Sequence, residues 1–454
     1  MKPTVVILAA GQGTRMRSAL PKVLHPVAGR PMLAHVIELA RSLEPARICV
    51  VVGHGADAVR AALDAPDISW VEQAQRLGTG HAVSQALPAL GEDAGTVLVL
   101  YGDVPLLPAA PVRELVAAAP ALLTACLHDA TGYGRIVRDA AGEFAAVVEE
   151  RDATESERRI DEVNTGVLAM AAEDLRRLLP AVSNDNAQAE YYLPDVLPLA
   201  IAAGQRVATV ATDDPAAVLG VNDRVQLAVV ERNFQRRTAD ALLRAGVTLA
   251  DPDRLDVRGT LRCGSDVFLD VGVVVEGEVT LAEGVRVGPN CVLRDCEVGT
   301  DAEVHAFSHL EGAVVGSRCS VGPYARLRPG TRLAEQARVG NFVETKKAQI
   351  GAGSKVNHLS YVGDSVLGAD VNVGAGTITC NYDGVAKHET RLGDGVFVGS
   401  NSTLVAPLDV GDGAFVAAGS TLTDDVAAEQ LAVARGRQRN IAGWQRPGRR
   451  ERND

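Results

Sequence analysis

LGDGVFVGSNSTLVAPLDVGDGAFVAAGSTL, residues 392–422, carries an aliphatic residue at every sixth position: Leu392, Val398, Leu404, Val410, Val416 and Leu422. An amphipathic helix repeats at every third or fourth residue and a half-buried strand at every second, so a step of six fits neither. It is the signal of a parallel β-helix, in which one side of a triangular coil takes about six residues and turns its aliphatic residue inward. Glycine directly after Leu392, Val398 and Val410 helps the backbone turn the next corner.

The same step runs through Val315, Val321, Leu327, Leu333 and Val339, and aliphatic–glycine pairs recur from Val287-Gly288 to Val410-Gly411. The largest gap in those pairs, between Gly374 and Leu392, holds AGTITCNYDGVAKHETR (375–391), which reads as a loop ejected from a coil. Upstream of the repeat, VQLAVVERNFQRRTADALLRAG (225–246) is one helical pattern. Leu227, Val230, Phe234, Ala241 and Ala245 share a side, and Gly246 stands near the stop.

Further upstream the period changes again. VVILAA (5–10), ARICVVVG (46–53), ISWVEQA (68–74), TVLVLYGD (96–103) and LLTACL (122–127) read as strands, with PMLAHVIELARSL (31–43), ADAVRAAL (56–63) and GHAVSQALPAL (80–90) as helices between them. Near-continuous apolar strands alternating with helices predict a Rossmann-like α/β domain with a mainly parallel sheet. The expected organisation is thus an α/β domain over 1–224, a connecting helix over 225–249 and a β-helix over 250–454 that ends in a basic tail. Ligands of such sheets bind beyond the strand C-termini, where this chain carries GQGTR, LGTGH and YGD.

The first of those ends, VVILAAGQGTRM (5–16), runs a buried strand into glycines and an arginine. It admits an ordinary βα turn or a loop whose bare N–H groups close on phosphate. A dinucleotide fingerprint would need a third glycine where Met16 stands and an acidic residue about 20 positions on, and has neither.

With 454 residues, two or three domains are expected. A formal net charge of −12 argues against nucleic acid or an anionic membrane as partner. No run approaches the roughly 18 apolar residues of a membrane span, and the N-terminal apolar run is too short for a signal peptide. Seven cysteines without a C-x-x-C pair fit reduced thiols, and hence a cytoplasmic protein. Only six of the 45 basic residues are lysine, and four of those six (Lys346, Lys347, Lys355 and Lys387) lie between 346 and 387. A compact ammonium and a planar guanidinium are not interchangeable, so this cluster points to a site.

LAAGQGTRM, LPKVL, QRLGTGHA, YGDVPLL, GYGRI, the NTG of 164–166 and GVNDR resemble a sugar-phosphate nucleotidyltransferase. RLRPG, GNFVETKK, NHLSYVGD, VGAGTITCNYDG and VFVGSNS resemble a left-handed β-helix acetyltransferase. Together and in this order, over nearly the whole chain, they resemble the bacterial family of bifunctional N-acetylglucosamine-1-phosphate uridylyltransferases and glucosamine-1-phosphate acetyltransferases. The resemblance implies acetyl transfer from acetyl-CoA to glucosamine 1-phosphate and then uridylyl transfer from UTP, supplying UDP-N-acetylglucosamine for peptidoglycan and lipopolysaccharide. It also implies Mg²⁺ and a homotrimer.

For the first reaction the resemblance assigns Leu8, Ala9, Ala10 and Gly11 to the nucleotide, and Gln73, Gly78 and Thr79 to uracil. Arg15 and Lys22 would neutralise the triphosphate, Asp103 and Asn222 would hold the metal, and Tyr101 and Gly102 would line the site. Gly134, Glu149 and Asn164 would bind the sugar. For the second it makes His358 the general base, with Glu344 as a possible orienter. Arg328, Lys346, Tyr361, Asn372 and Lys387 would bind the sugar phosphate, and Ala375, Asn381, Tyr382, Ser400, Ala418 and Arg435 acetyl-CoA. Phosphoryl transfer needs positioning and charge neutralisation more than covalent help, so the first set suffices chemically. An imidazole with an unperturbed pKa near 6.5 suits proton removal from an amine. Two rival readings stand beside this one: a β-helix serving only as a trimerising scaffold, against which its dense polar motifs argue, and a nucleotide-binding oxidoreductase, against which Met16 argues.

Overall fold

The computed structural model describes residues 2–446. The chain divides into two compact units at Thr238/Ala239, inside the helix Arg224–Arg244 that the sequence reads as a connector.

The first unit is built on nine strands: β1 (Thr4–Ala9), β2 (Arg47–Val52), β3 (Ile68–Glu72), β4 (Thr96–Tyr101), β5 (Ala121–Cys126), β6 (Arg135–Arg138), β7 (Phe144–Val148), β8 (Glu162–Ala171) and β9 (Ala208–Thr212). They lie in the order β9-β5-β8-β4-β1-β2-β3, with β6 and β7 attached at β8. Pairing is parallel at β9–β5, β4–β1, β1–β2 and β2–β3; β8 runs antiparallel between β5 and β4. All six residues of β1 are buried, as expected where helices cover both faces. Leu8 pairs with Tyr101 and with Val51, so β1, β2 and β4 end side by side and their following loops share one edge. Met16 is 1% exposed and packs with Val27, Met32, Leu106, Val221 and Val230, anchoring the loop after β1.

The first turns of helix Arg224–Arg244 belong to this packing. Phe234 meets His35 edge-on at 5.3 Å, Glu231 accepts from the Ala28 amide at 2.7 Å, and Arg237 pairs with Asp214 at 2.6 Å.

The second unit is a stack of parallel coils. Val287 pairs with Val304, Val304 with Val321, Val321 with Val339, Val339 with Val356 and Val356 with Val373, each 17 or 18 positions on. Three sides of about six residues account for that step. The inward aliphatic residues form one continuous core from Val247 to Val426. Each valine so buried contributes about 1.5–3 kcal/mol relative to exposure, which suffices to hold short strands of two or three residues in register.

The loop departs from its expected bounds of 375–391. Ile378–Cys380 remains a coil strand against Thr403–Val405, and Thr390–Leu392 pairs with Ser365–Leu367, so only residues 381–389 leave the coil. Buried Thr379 stands where the six-residue step predicts an aliphatic residue, and buried Thr377 occupies a second inward position two residues earlier. Thr377 donates to the Gly374 carbonyl at 2.8 Å, and Thr379 accepts from the Gly363 amide at 2.8 Å, so both hydroxyls are satisfied. Outside the coil, Phe307, Tyr324 and Phe342 stack on successive turns at 5.0 and 5.2 Å, and each is about half exposed.

Candidate functional sites

The loops at the C-terminal edge of the sheet enclose a cleft of about 500 Å³. Leu8, Ala9, Ala10, Gly11, Lys22, Gln73, Gly78, Thr79, Tyr101 and Asp103 line it. At its heart the Lys22 ammonium lies 2.5 Å from Asp103 Oδ2 and 3.2 Å from Asn222 Oδ1. The Val221 amide donates to the Asp103 carbonyl at 3.0 Å, and this backbone tie brings the 220–223 loop beside β4. Two oxygen donors from separate loops thus converge on one cationic centre, an arrangement that fits a hard divalent ion. Asp223, adjacent to Asn222, faces the following helix instead and caps it, its carboxylate accepting from the Gln226 amide at 2.8 Å.

The sugar-binding candidates meet across β6, β7 and β8. The Asn164 amide donates to the Gly134 carbonyl, and Asn164 Oδ1 accepts from the Gly166 amide, both at 2.8 Å. A Cβ on Gly134 would stand 2.8 Å from Val147 Cγ1 and 2.9 Å from Glu149 Oε1, so a side chain there would press on both. Burial, then Asp195 and Asp152, push the Glu149 carboxyl above the ordinary range. Burial likewise raises the Tyr101 hydroxyl, with Glu149 adding to it. Gly102 follows β4, its amide donating to the Leu8 carbonyl at 2.9 Å.

Arg15 lies exposed on the short helical turn Thr14–Met16, outside the cleft lining. Gln12, Arg76 and Glu190 line the cleft although the sequence does not single them out. Arg76 stands inside the quoted QRLGTGHA motif, but an exposed arginine in so arginine-rich a chain carries no signal of its own.

On the β-helix, His358 ends the strand Lys355–His358 and is exposed. Its Nδ1 lies 2.8 Å from Asn341 Oδ1, and since that oxygen can only accept, Nδ1 carries the hydrogen and Nε2 the lone pair. Asn341, not Glu344, therefore orients the imidazole. The coil register explains the difference: Asn341 is the partner of His358 one turn below, whereas Glu344 is the partner of Tyr361 and pairs with Arg328 at 2.8 Å. Lys346 faces Lys387, and that ammonium together with Arg328 holds the Lys346 pKa below the ordinary lysine value. Arg328, Lys346 and Lys387 thus form one cation cluster, the arrangement an anion relieves. Asn372 lies on the His358 sheet in register with Lys355.

The acetyl-CoA candidates are stacked by the same coil repeat. The Asn401 amide donates to Ala375, the Gly419 amide to Ser400, and the Arg435 guanidinium to Ala418 at 2.5 Å, making one ledge up successive turns. Asn381 bonds Asp364, and Tyr382 on the extruded loop pairs with Lys387 and is 59% exposed. Of the seven arginines in the tail from 435, Arg449, Arg450 and Arg452 lie outside the described residues.

A mainly parallel α/β sheet whose strand-end loops gather a lysine, an aspartate and an asparagine defines a nucleotidyltransferase domain. Residues 5–189 match the family model of the MobA-like NTP transferase domain. The whole chain is 57% identical over 447 residues to the bifunctional protein GlmU of Marinobacter nauticus, 98% of each chain being covered. It is 58% identical over 450 residues to that of Alkalilimnicola ehrlichii (98% and 97%) and 54% identical over 451 residues to that of Pseudomonas entomophila (98% and 99%). The chain belongs to the family of bifunctional GlmU proteins. It is an enzyme of UDP-N-acetylglucosamine synthesis that unites a sugar-phosphate uridylyltransferase with a CoA-dependent acetyltransferase. Among the described residues no helix is long and apolar enough to cross a membrane.

Proposed function

We propose that the cleft of the first unit joins UTP to N-acetylglucosamine 1-phosphate with Mg²⁺, and that the face around His358 acetylates glucosamine 1-phosphate. The observation that carries the first assignment is the Lys22 ammonium held between Asp103 and Asn222. Those two oxygens would hold Mg²⁺, which commonly keeps waters and phosphate oxygens as its remaining ligands. When bound it supplies charge neutralisation on the phosphates. The residues of the chain do the rest. Backbone groups of Leu8–Gly11 hold the nucleotide, Gln73, Gly78 and Thr79 take the uracil, and Gly134, Glu149 and Asn164 fix the sugar. Lys22, which cannot share one point with a metal ion, pairs with phosphate, and Arg15 adds charge from the loop. A phosphate oxygen of the sugar phosphate forms its bond to the α-phosphorus as the bond to pyrophosphate breaks.

In the acetyl site, Arg328, Lys346 and Lys387 hold the phosphate while Tyr361 and Asn372 bind the sugar. His358 Nε2 takes a proton from the amine as its nitrogen attacks the thioester carbonyl, and the C–S bond to CoA breaks. The ledge from Ala375 through Ser400 and Ala418 to Arg435, with Asn381 and Tyr382, receives acetyl-CoA. A single coil has flat walls, whereas packed copies make clefts. The exposed stack of Phe307, Tyr324 and Phe342 is apolar surface that another copy would cover. The working assembly is accordingly a homotrimer, and the free cysteines suit a cytoplasmic protein.

Both reactions should be followed on the full-length protein with and without a chelator. Uridylyl transfer should stop on chelation and return with Mg²⁺, while acetyl transfer continues and light scattering gives the mass of three chains. Acetyl transfer as sensitive to chelation as uridylyl transfer would overturn the assignment of the metal, and a fully acetylating monomer would overturn the trimer.

A further inference from the structure

Gln73 is only 4% exposed at the base of the nucleotide cleft. Its side-chain nitrogen donates to the Gly78 carbonyl at 3.0 Å and lies 3.0 Å from His81 Nδ1. The carbonyl can only accept, so the Gln73 atom facing it must be the NH₂. The second hydrogen of that nitrogen then goes to His81, whose Nδ1 has to accept it. His81 is thereby the tautomer with its hydrogen on Nε2, which lies 3.3 Å from the Gln85 amide and finds an acceptor there when the Gln85 oxygen faces it. With both its hydrogens engaged, Gln73 has one hydrogen-bonding atom left for a ligand, the acceptor Oε1.

The anchor points of this relay are rigid. Gly78 has φ +105°, and a Cβ there would fall 2.6 Å from the Tyr191 carbonyl oxygen. The Gly80 amide donates to Tyr191 and the Tyr191 amide to Leu77, both at 2.8 Å. His81 sits in the first turn of helix Thr79–Ala86, where Thr79 accepts from the Leu193 amide at 3.0 Å.

We propose that His81 is a positioning residue for base selection: by accepting the second hydrogen of the Gln73 NH₂ beside the Gly78 carbonyl, it joins that carbonyl in holding the amide oxygen outward, and so favours uracil over cytosine. Uracil has N3–H, a donor that Oε1 accepts. Cytosine has a bare N3, and two acceptors would face each other. An amide turned over would present NH₂ and suit cytosine N3, so the preference depends on what prevents that turn. The inference rests on the proposed reading that Gln73 contacts the base.

The test is kcat/KM of the full-length protein for UTP and for CTP, with N-acetylglucosamine 1-phosphate as acceptor. His81→Leu keeps bulk but offers no acceptor; it should narrow the UTP-over-CTP preference by about tenfold or more, through KM for UTP with kcat little changed. His81→Asn places Oδ1 near the position of Nδ1 and should keep the preference within about threefold of the original. If His81→Leu does not fold, His81→Gln, whose amide oversteps that position, takes its place with the same expectation. Gln73→Leu distinguishes the two layers of the argument. A lost preference in Gln73→Leu with an unchanged one in His81→Leu would overturn the role of His81 alone. An unchanged preference in both would remove Gln73 as the reader of the base, and His81 with it.

Discussion

In the N-terminal cleft, Lys22 is met by Asp103 and Asn222, and burial raises Glu149 and Tyr101. On the β-helix, Lys346 faces Lys387, and the Arg328 carboxylate partner, Glu344, is already engaged. His358 there is exposed, and among the described residues only its Nδ1 is held, by Asn341. The contrast follows from the two folds. A sheet whose strands end together curls its loops into a concave cleft, so one chain can bury and balance its own charges. A stack of coils repeats one outline and has no natural hollow, so its polar groups stand as an open patch with an excess of cations.

The sharpest way to break this contrast is to remove one centre and measure both reactions. Asp103→Ala should lower uridylyl transfer on the order of 10³-fold and leave acetyl transfer unaltered. His358→Ala should do the reverse on a similar scale of about 10²–10⁴. Parallel loss of both activities in either folded variant would mean that the two regions are not separate sites.

A smaller effect sharpens the account of His358. Replacing Asn341 by Leu frees the imidazole to rotate and exchange tautomers, and misplacement of the base by about 1 Å costs on the order of 100-fold. We expect that loss in kcat for acetylation with KM for acetyl-CoA little changed, and a clearly smaller loss for Glu344→Gln. A larger effect at Glu344 would restore the carboxylate as orienter.

Next come the scarce lysines. Lys346→Arg and Lys387→Arg should each lower acetyl transfer by about tenfold, because a wide guanidinium displaces the phosphate that an ammonium accommodates. Lys2→Arg, in neither site, should be silent. Normal rates in both site variants would show that the patch tolerates any cation.

The smallest effect is one of stability. Glu149 has a folded-state pKa raised above its ordinary value of 4.5, so the folded chain holds that proton more tightly than the unfolded one. As pH rises from the ordinary value through the folded-state value, the unfolded chain ionises first and stability falls; above that window the full penalty remains. Glu149→Gln should therefore melt higher than wild type at neutral pH, with the difference closing toward acid. A constant difference at all pH values would mean that the carboxyl is not strained by burial.

Much of this is legible in the sequence, though unevenly. The β-helix is readable because its rule is local: a side chain at one position packs on those 17 or 18 further on, whatever lies between. Asn341 could be found by the same rule, being 17 positions before His358. The extruded loop reads too long because Thr377 and Thr379 hide two inward positions behind satisfied hydroxyls. The antiparallel strand β8, which brings Asn164 beside Gly134, falls outside the strands read from the sequence. Its apolar stretch is interrupted by Asn164, Thr165 and Gly166, residues whose own preference is for turns.

By itself the amino-acid sequence determined the two periods, the division between them and the motifs that belong to each, because hydrophobic repeat and turn chemistry act over neighbouring residues. The tertiary structure alone decided which of those residues meet. Lys22 reaches Asp103 across 81 positions and Asn222 across 200, through a backbone bond from Val221 to Asp103 that no local pattern encodes. It likewise decided that Asp223 caps a helix while its neighbour Asn222 meets Lys22. The reason is directional. A hydrogen bond to a carboxylate is made within about 3 Å and at a favourable angle, and only the packed chain sets both.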